Sequence, residues 1–353
     1  MTFEAQDQPA LPTSEAEAGF QFVYGADTRV DRRGGVGQHG ERMSDFENIL
    51  RESSAMVFVN AIAGAGRAGK YLLRVRREFE AKGIPAEFVV TASMKDLELR
   101  TRAAIEQGRR FLLAMGGDGT FQGLANAAYG SDVLLGVLPA GGGNDFAAAL
   151  GLPKDPVAAA RAVLNGRPRS VDLLRARTGD GRERLYVGGG GVGLDVEASR
   201  YAGGAYRAMP GRLRYVASAL RAWTEFVPLK VRAEFPGSEQ PAMEANVLLA
   251  GVLNAPSYGA GLRIAPGALV DDGWVNLSLV RRLKALEVLT LVPRLLKDGS
   301  LPDSYLKQIR ARRVRLETDR ACFFHCDGEI FGPTPVEVEV LPGAMKVLAP
   351  ATP

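Results

Sequence analysis

Cysteine, histidine and tryptophan are nearly absent: 353 residues hold two of each. Cys322 and Cys326 stand too close together in the chain to build a disulfide framework, and so few thiols fit a reducing compartment. In an extended segment His325 points away from both thiols, and no other Cys or His is near it, which excludes zinc. The second histidine, His39, lies far upstream, and with no G-x-S-x-G elbow a Ser-His-Asp hydrolase lacks its parts. No apolar run approaches the ~20 residues of a membrane span. The first twenty residues lack the basic segment and apolar run of a secretory signal. These absences predict a cytoplasmic chain whose membrane contact is peripheral. Internal repeats are also missing, which excludes solenoids.

What remains is the composition of a globular protein, with 46% hydrophobic and 24% charged residues. A net charge of +4 makes the surface mildly basic, which suits anionic partners without choosing among them. Residues 1–43, rich in Glu, Gln, Gly and Arg without a sustained period, read as a disordered leader. From Ser54 apolar runs alternate with helix-like segments. Strands are expected at 55–59, 86–91, 110–115 and 133–138, and helices at 70–82, 96–107, 121–129 and 155–165. Such alternation predicts an α/β domain on a parallel sheet over 54–168, with ligand loops at the carboxyl ends of the strands. Strand-like segments then dominate 169–335, predicting a β-rich second domain. Helical exceptions are expected at 213–226 and 283–296, and 336–353 is expected to return to the first domain.

The stretch VFVNAIAGAGRAGKY, residues 57–71, satisfies two nucleotide motifs by glycine spacing and fails both by chemistry. Gly64, Gly66 and Gly69 fit G-x-G-x-x-G, yet the next strand ends in Val89-Val90-Thr91, without the acid that would hold a ribose. Gly64 to Lys70 fit G-x-x-x-x-G-K, yet Tyr71 stands where a Ser or Thr would meet magnesium. A glycine-rich turn that can bring backbone N–H groups to an anion survives. A plain tight turn is the alternative reading.

The third strand runs into Gly116-Gly117-Asp118-Gly119-Thr120-Phe121-Gln122. Glycines there let the backbone approach a triphosphate, and Thr120 can cap the helix or donate to phosphate. Asp118 would repel phosphate unless a divalent cation lay between them. An analogous loop follows the fourth strand, where Gly142, Asn144 and Asp145 extend the pocket for anion and metal.

Together these loops resemble the diacylglycerol kinase catalytic family, which includes sphingosine and ceramide kinases and bacterial lipid kinases. The similarity runs from about Ser54 to the C-terminus. It implies an NAD-kinase-like α/β nucleotide domain and a β-rich lipid-binding domain, with ATP and Mg²⁺ between them. Asn60 and Gly64 match the family's first ATP loop, where Ala61 replaces a proline. Thr91 matches a threonine touching ATP, and 116–122 matches the phosphate loop. Gly142 departs from the usual threonine, removing a hydroxyl donor, so that only backbone contact remains there.

Near the end, Cys326-Asp327-Gly328-Glu329 carries the other acids. In an extended strand His325, Asp327 and Glu329 share one face. A carboxylate suits removal of a hydroxyl proton, although the residues alone also allow a hairpin turn with solvated acids. The resemblance implies that Asp327 is the proton acceptor, supported by Glu329, and the form C-D-G-E is similar to ceramide kinases. It also implies a structural magnesium at the Asp272 carboxylate and the Leu269 and Trp274 backbones; Asp271 and Asp272 allow a plain turn equally. Basic residues beside the apolar helices at 213–226 and 283–296 (Arg212, Arg214, Arg221, Arg281, Arg282, Lys284, Arg294 and Lys297) suit an anionic membrane, although core packing explains each helix alone.

The expectation is an ATP- and Mg²⁺-dependent lipid kinase. Asp118, Asp327 and Glu329 are its catalytic acids, Asp118 and Asp145 its active-site metal ligands. Its acceptor is a diacylglycerol- or ceramide-type lipid at a membrane surface, with no nucleic-acid partner. A soluble NAD kinase and a catalytically silent nucleotide or lipid sensor are the rival readings. The oligomeric state, a homodimer included, stays open.

Overall fold

The structure is a computed structural model that describes residues 54–350 apart from positions 207, 208, 210, 260, 300 and 303. The expected leader at 1–43 lies outside the described residues. So do the side chains of 211–216 and much of the apolar face of the helix near 285–296, on which the membrane expectation partly rests.

The first half alternates strand and helix: β1 (Ala55–Val59), α1 (Ala63–Ala81), β2 (Ala86–Val90), α2 (Met94–Glu106), β3 (Phe111–Gly116), α3 (Asp118–Ala128), β4 (Leu134–Pro139), α4 (Asp145–Ala149) and α5 (Pro156–Leu164). Every residue of β1, β3 and β4 is buried. These uninterrupted apolar runs belong in a parallel sheet covered by helices on both faces. The pairings β1 with β2, β1 with β3 and β3 with β4 are all parallel. Each such pairing needs a crossover, which the helices supply. All four strands therefore end at one edge, and the loops after β1, β3 and β4 meet there.

The second half contains β5 (Arg167–Thr178), β6 (Glu183–Tyr186), β7 (Gly189–Gly193), α6 (Leu194–Gly203), α7 (Gly211–Glu225), β8 (Leu229–Glu234), β9 (Met243–Val247) and β10 (Leu249–Leu253). It continues through β11 (Val275–Val280), α8 (Ala285–Lys297), β12 (Leu306–Ala311), β13 (Arg313–Thr318), β14 (Phe323–Cys326), β15 (Glu329–Pro333) and β16 (Val336–Ala349). One sheet runs β2-β1-β3-β4-β16-β13-β8-β9, with β5 paired to β16 and β6; a second runs β12-β11-β10-β7-β14-β15. The extended run around 246–253 breaks at Leu248 so that β9 serves the first sheet and β10 the second. Apolar side chains from both sheets, among them Tyr186, Val252, Phe324 and Val338, close the core between them.

Strand β16 joins the halves. Its first residues pair with β13, its last with β4 in parallel register (Lys346 with Leu134, Val347 with Leu135), and β5 runs antiparallel along its length. Among the described residues no helix is long and apolar enough to cross a membrane.

Candidate active site

The loop after β1 turns on Gly64, Ala65 and Gly66, all at positive φ, before the regular part of α1 begins. A Cβ on Gly64 would stand 2.1 Å from the Ala140 carbonyl oxygen, so this loop can approach the one after β4 only with glycine there. Asn60 donates from Nδ2 to Thr120 Oγ1 at 3.3 Å, joining the first loop to the start of α3. Thr91 caps the end of β2 on the Val59 carbonyl, through its N–H at 2.9 Å and its hydroxyl at 3.4 Å.

The loops after β3 and β4 pack backbone on backbone. Ala140 and Gly141 donate to the Gly116 carbonyl at 2.7 and 3.1 Å, and a Cβ on Gly141 would meet Gly117 Cα at 2.4 Å. A Cβ on Gly116 would strike Thr120 Oγ1 at 2.3 Å. Gly119 and Gly142 face open space. Asn144, at φ 62°, closes the second loop on itself by exchanging bonds with Gly141. The Phe121 side chain is not at the surface of this pocket; it is buried and stacked on Phe146 at 5.0 Å. Gln122 is buried too, and its Nε2 reaches the Cys326 carbonyl at 3.5 Å, tying α3 to the second half.

Asp118, the first residue of α3, accepts from the N–H groups of Asn144 (2.7 Å) and Phe146 (3.2 Å), so it also caps α4. Burial and then the neighbouring charge of Asp145 push its carboxyl above the ordinary range, against the pull of those N–H donors. Asp145 Oδ1 accepts from the Ser257 hydroxyl at 2.9 Å.

Asp327 lies across from this pair. The expected extended strand does not occur: β14 and β15 form a hairpin whose Cys326–Glu329 pair is closed by Asp327 (φ 46°) and Gly328 (φ 87°). Asp-Gly is the preferred pair for a two-residue turn with both residues at positive φ, and here that preference overrides alternation. The turn separates the two acids. Asp327 Oδ1 accepts from the N–H groups of Gly188 and Gly189 and Oδ2 from that of Val187, each at 2.9 Å. Glu329 is exposed and pairs with Arg184 at 3.1 Å. Burial pushes the Asp327 carboxyl up to about 6; the N–H donors oppose the rise, and the charge of Asp118 adds to it.

Among the described residues no three acidic, Cys or His side chains lie close enough to enclose a metal alone. The charge of Asp145 acting on Asp118, and that of Asp118 acting on Asp327, is nevertheless what a cation among them would relieve. Magnesium suits such a site because it is commonly held by one or two carboxylates, with waters and phosphate oxygens completing its shell. The Asp272 region offers less. Asp272 Oδ1 accepts from the Trp274 N–H at 3.0 Å, Oδ2 takes the Arg310 guanidinium, and Leu269 is 55% exposed. Arg169 grips Asp271 with two bonds, and Arg310 and Arg312 both lie over the Trp274 ring.

Several residues of this region were missed by the reading of the sequence. The N–H groups that hold Asp327 lead into and open a strand, Gly189–Gly193, that is all glycine but for Val192. A Cβ on Gly190 would stand 2.6 Å from the His325 carbonyl oxygen. The run of four glycines at 188–191 was the available clue to so close an approach. Asp172, buried and held by the N–H groups of Gly273 and Gly343, and Asn254, buried and donating to the Asp172 and Val187 carbonyls, were not legible.

Comparison with known proteins gives this arrangement a family. The family described as "Diacylglycerol kinase catalytic domain" matches residues 54–176, and "YegS C-terminal NAD kinase beta sandwich-like domain" matches residues 190–349. The diacylglycerol kinase of Mycobacterium tuberculosis is 30% identical over 292 residues, covering 82% of this chain and 93% of that one. A "Probable lipid kinase YegS-like" from Stenotrophomonas maltophilia is 30% identical over 285 residues, covering 77% and 89%. In fold the chain is similar to the crystal structure of a diacylglycerol kinase from Bacillus anthracis, with a TM-score of 0.65 at 18% identity, covering 84% of this chain and 97% of that one. Both halves of the sequence and the shared sheet thus lead to one assignment, and the chain belongs to the diacylglycerol kinase family.

Proposed function

We propose that this chain is a lipid kinase, transferring the γ-phosphoryl group of ATP to the hydroxyl of a diacylglycerol- or ceramide-type lipid at the cytoplasmic membrane surface. The observation that carries the reading is that the helix opened by Asp118 at the glycine-rich edge of one half is bonded through Gln122 to the Cys326 carbonyl, next to Asp327 of the other half. A phosphate donor and a hydroxyl acceptor must meet between two such groups.

In this reading Asn60, Gly64, Thr91, Gly116, Gly117, Gly119, Thr120, Gly142 and Asn144 line the nucleotide's side of the cleft. Phe121 and Gln122 support that wall from behind. Asp118 and Asp145 would hold magnesium, directly or through water, and bound magnesium supplies charge neutralisation on the transferring phosphoryl group. Asp327 takes the proton of the lipid hydroxyl as the hydroxyl oxygen bonds to the γ-phosphorus and the bond to the ADP oxygen breaks. Its three N–H donors fix the carboxylate while burial keeps it basic enough to accept. Glu329 supports the turn from outside through Arg184.

The experiment incubates purified protein with labelled ATP, magnesium and a total membrane lipid extract, beside a parallel reaction with NAD. The lipids that gain phosphate are identified by mass spectrometry. Phosphorylated diacylglycerol or ceramide is expected; NAD phosphate without lipid phosphate would overturn the reading.

A further inference from the structure

His325 has no part in the transfer described above, yet its position is unusual for an ionisable side chain. It is 1% exposed on β14, two residues before Asp327, and its ring lies between Tyr258 (centroids 5.2 Å apart, planes 20° apart) and Phe324 (6.2 Å, 19°). Its Nε2 meets Asp195 Oδ2 and the Tyr258 hydroxyl, and the same hydroxyl donates to Asp195. Asp195 sits in the first turn of α6, where its other oxygen accepts from the Val196 N–H at 2.9 Å. Burial alone would raise the Asp195 carboxyl; the charge and hydrogen bond of His325 and the bond from Tyr258 outweigh it and hold Asp195 below the usual range. A largely enclosed acid kept ionised in this way needs those partners to stay in place.

The cluster connects three pieces of the site. β14 carries the turn of Asp327 and pairs with β7 through His325–Gly191. Tyr258 follows Ser257, whose hydroxyl binds Asp145 on the nucleotide side. Burial and the Asp195 charge raise the Tyr258 phenol well above its ordinary value, and the charges of Asp145 and Asp327 add to the rise, so the phenol lies within reach of both acids' fields.

We propose that Asp195, His325 and Tyr258 form a part-buried clamp that sets the Asp327 turn against the Asp145 loop, making His325 and Tyr258 positioning residues for phosphoryl transfer. The proposal rests on the lipid-kinase reading for its kinetic consequences and on geometry alone for its structural ones. A misplacement of about 1 Å at a reacting group lowers a rate by about 10²-fold, which is the scale of loss the clamp prevents.

Three variants test it. His325→Leu keeps bulk but removes the donor, His325→Gln returns an N–H near the Nε2 position, and Tyr258→Phe keeps the stacked ring without its hydroxyl. For His325→Leu, kcat with lipid should fall about 10²-fold while KM for ATP stays within about twofold. His325→Gln should recover at least about tenfold of that loss, and Tyr258→Phe should fall between. Hydrogen exchange read by mass spectrometry should speed up in peptides covering 186–190 and 323–331 of His325→Leu and Tyr258→Phe, with the peptide 111–122 unchanged. Equal kcat and equal exchange in Leu and Gln variants, or wild-type values in Tyr258→Phe, would overturn the clamp. Should His325→Leu not fold, His325→Gln and Tyr258→Phe measured against the wild type decide. If the wild type phosphorylates no lipid, the kinase reading fails and the exchange measurements alone judge the clamp.

Discussion

Asp118 and Asp327 are held by the same device in unlike surroundings. Each carboxylate accepts backbone N–H groups from a segment remote in sequence: Asn144 and Phe146 for one, Val187, Gly188 and Gly189 for the other. Asp118 opens a helix and shares its field with a neighbouring acid, Asp145, which suits a cation. Asp327 sits in a two-residue turn, its carboxyl pushed up to about 6 by burial with the charge of Asp118 adding to the rise, which suits a proton. Identical chemistry therefore takes different work from its surroundings, and each carboxylate can be changed while the other keeps its own backbone donors.

The largest effect is expected from Asp327→Asn. Asn-Gly favours the same turn, so the hairpin should persist, while loss of the base should lower kcat by about 10²- to 10⁴-fold. Calorimetric titration should find ATP affinity nearly unchanged, which separates the acceptor side from the nucleotide side. A comparable fall in affinity would mean the two are not separable.

The pH profile is the next test. The Asp327 carboxyl must be ionised to accept a proton, so kcat/KM should lose about tenfold per pH unit below about 6. In Asp118→Asn, with its charge removed, that limb should move to lower pH. The sign reverses for stability: because the folded acid holds its proton more tightly than the unfolded one, its contribution declines as pH rises from about 4 to about 6, readable as a falling denaturation midpoint.

Gly64→Ala attacks the other side. With φ at 59° and the Ala140 oxygen 2.1 Å from the new Cβ, the loops after β1 and β4 must part, and a loss of about 1–3 kcal/mol is expected. A raised KM for ATP with an unchanged acid limb would keep the contrast between the sites intact. The smallest effect belongs to Gly142→Thr. The position is open, so the hydroxyl can be accommodated, and one added donor to a phosphate should tighten ATP by about 0.5–1.5 kcal/mol. Unchanged ATP affinity would show that this loop works through its backbone alone.

Legibility divides along the same line. Uniform apolar runs made β1 readable to the residue, and glycines beside Asp118 marked the loops, because each signal is local in the sequence. The acceptor side is built from coincidences of distant segments. The glycine strand β7 has no periodicity to read, and the helix α4, five residues long, is shorter than any pattern can register. At Asp327 two valid rules competed; alternation suggested an extended strand, while the Asp-Gly pair demanded a turn, and the turn decided. The role of His325 is invisible in the sequence because its partners, Asp195 and Tyr258, lie 130 and 67 positions away.

Strand β16 has a consequence for how the molecule comes into being. Residues 346 and 347 complete the flank of β4, the strand whose loop carries Asn144 and Asp145. During synthesis the nucleotide loops emerge early, yet the sheet beneath them stays open at that flank until some two hundred further residues have followed. Such long-range closure is slow. The nascent first half must therefore wait with an unsealed edge, and this is the stage at which a chaperone would have most to protect.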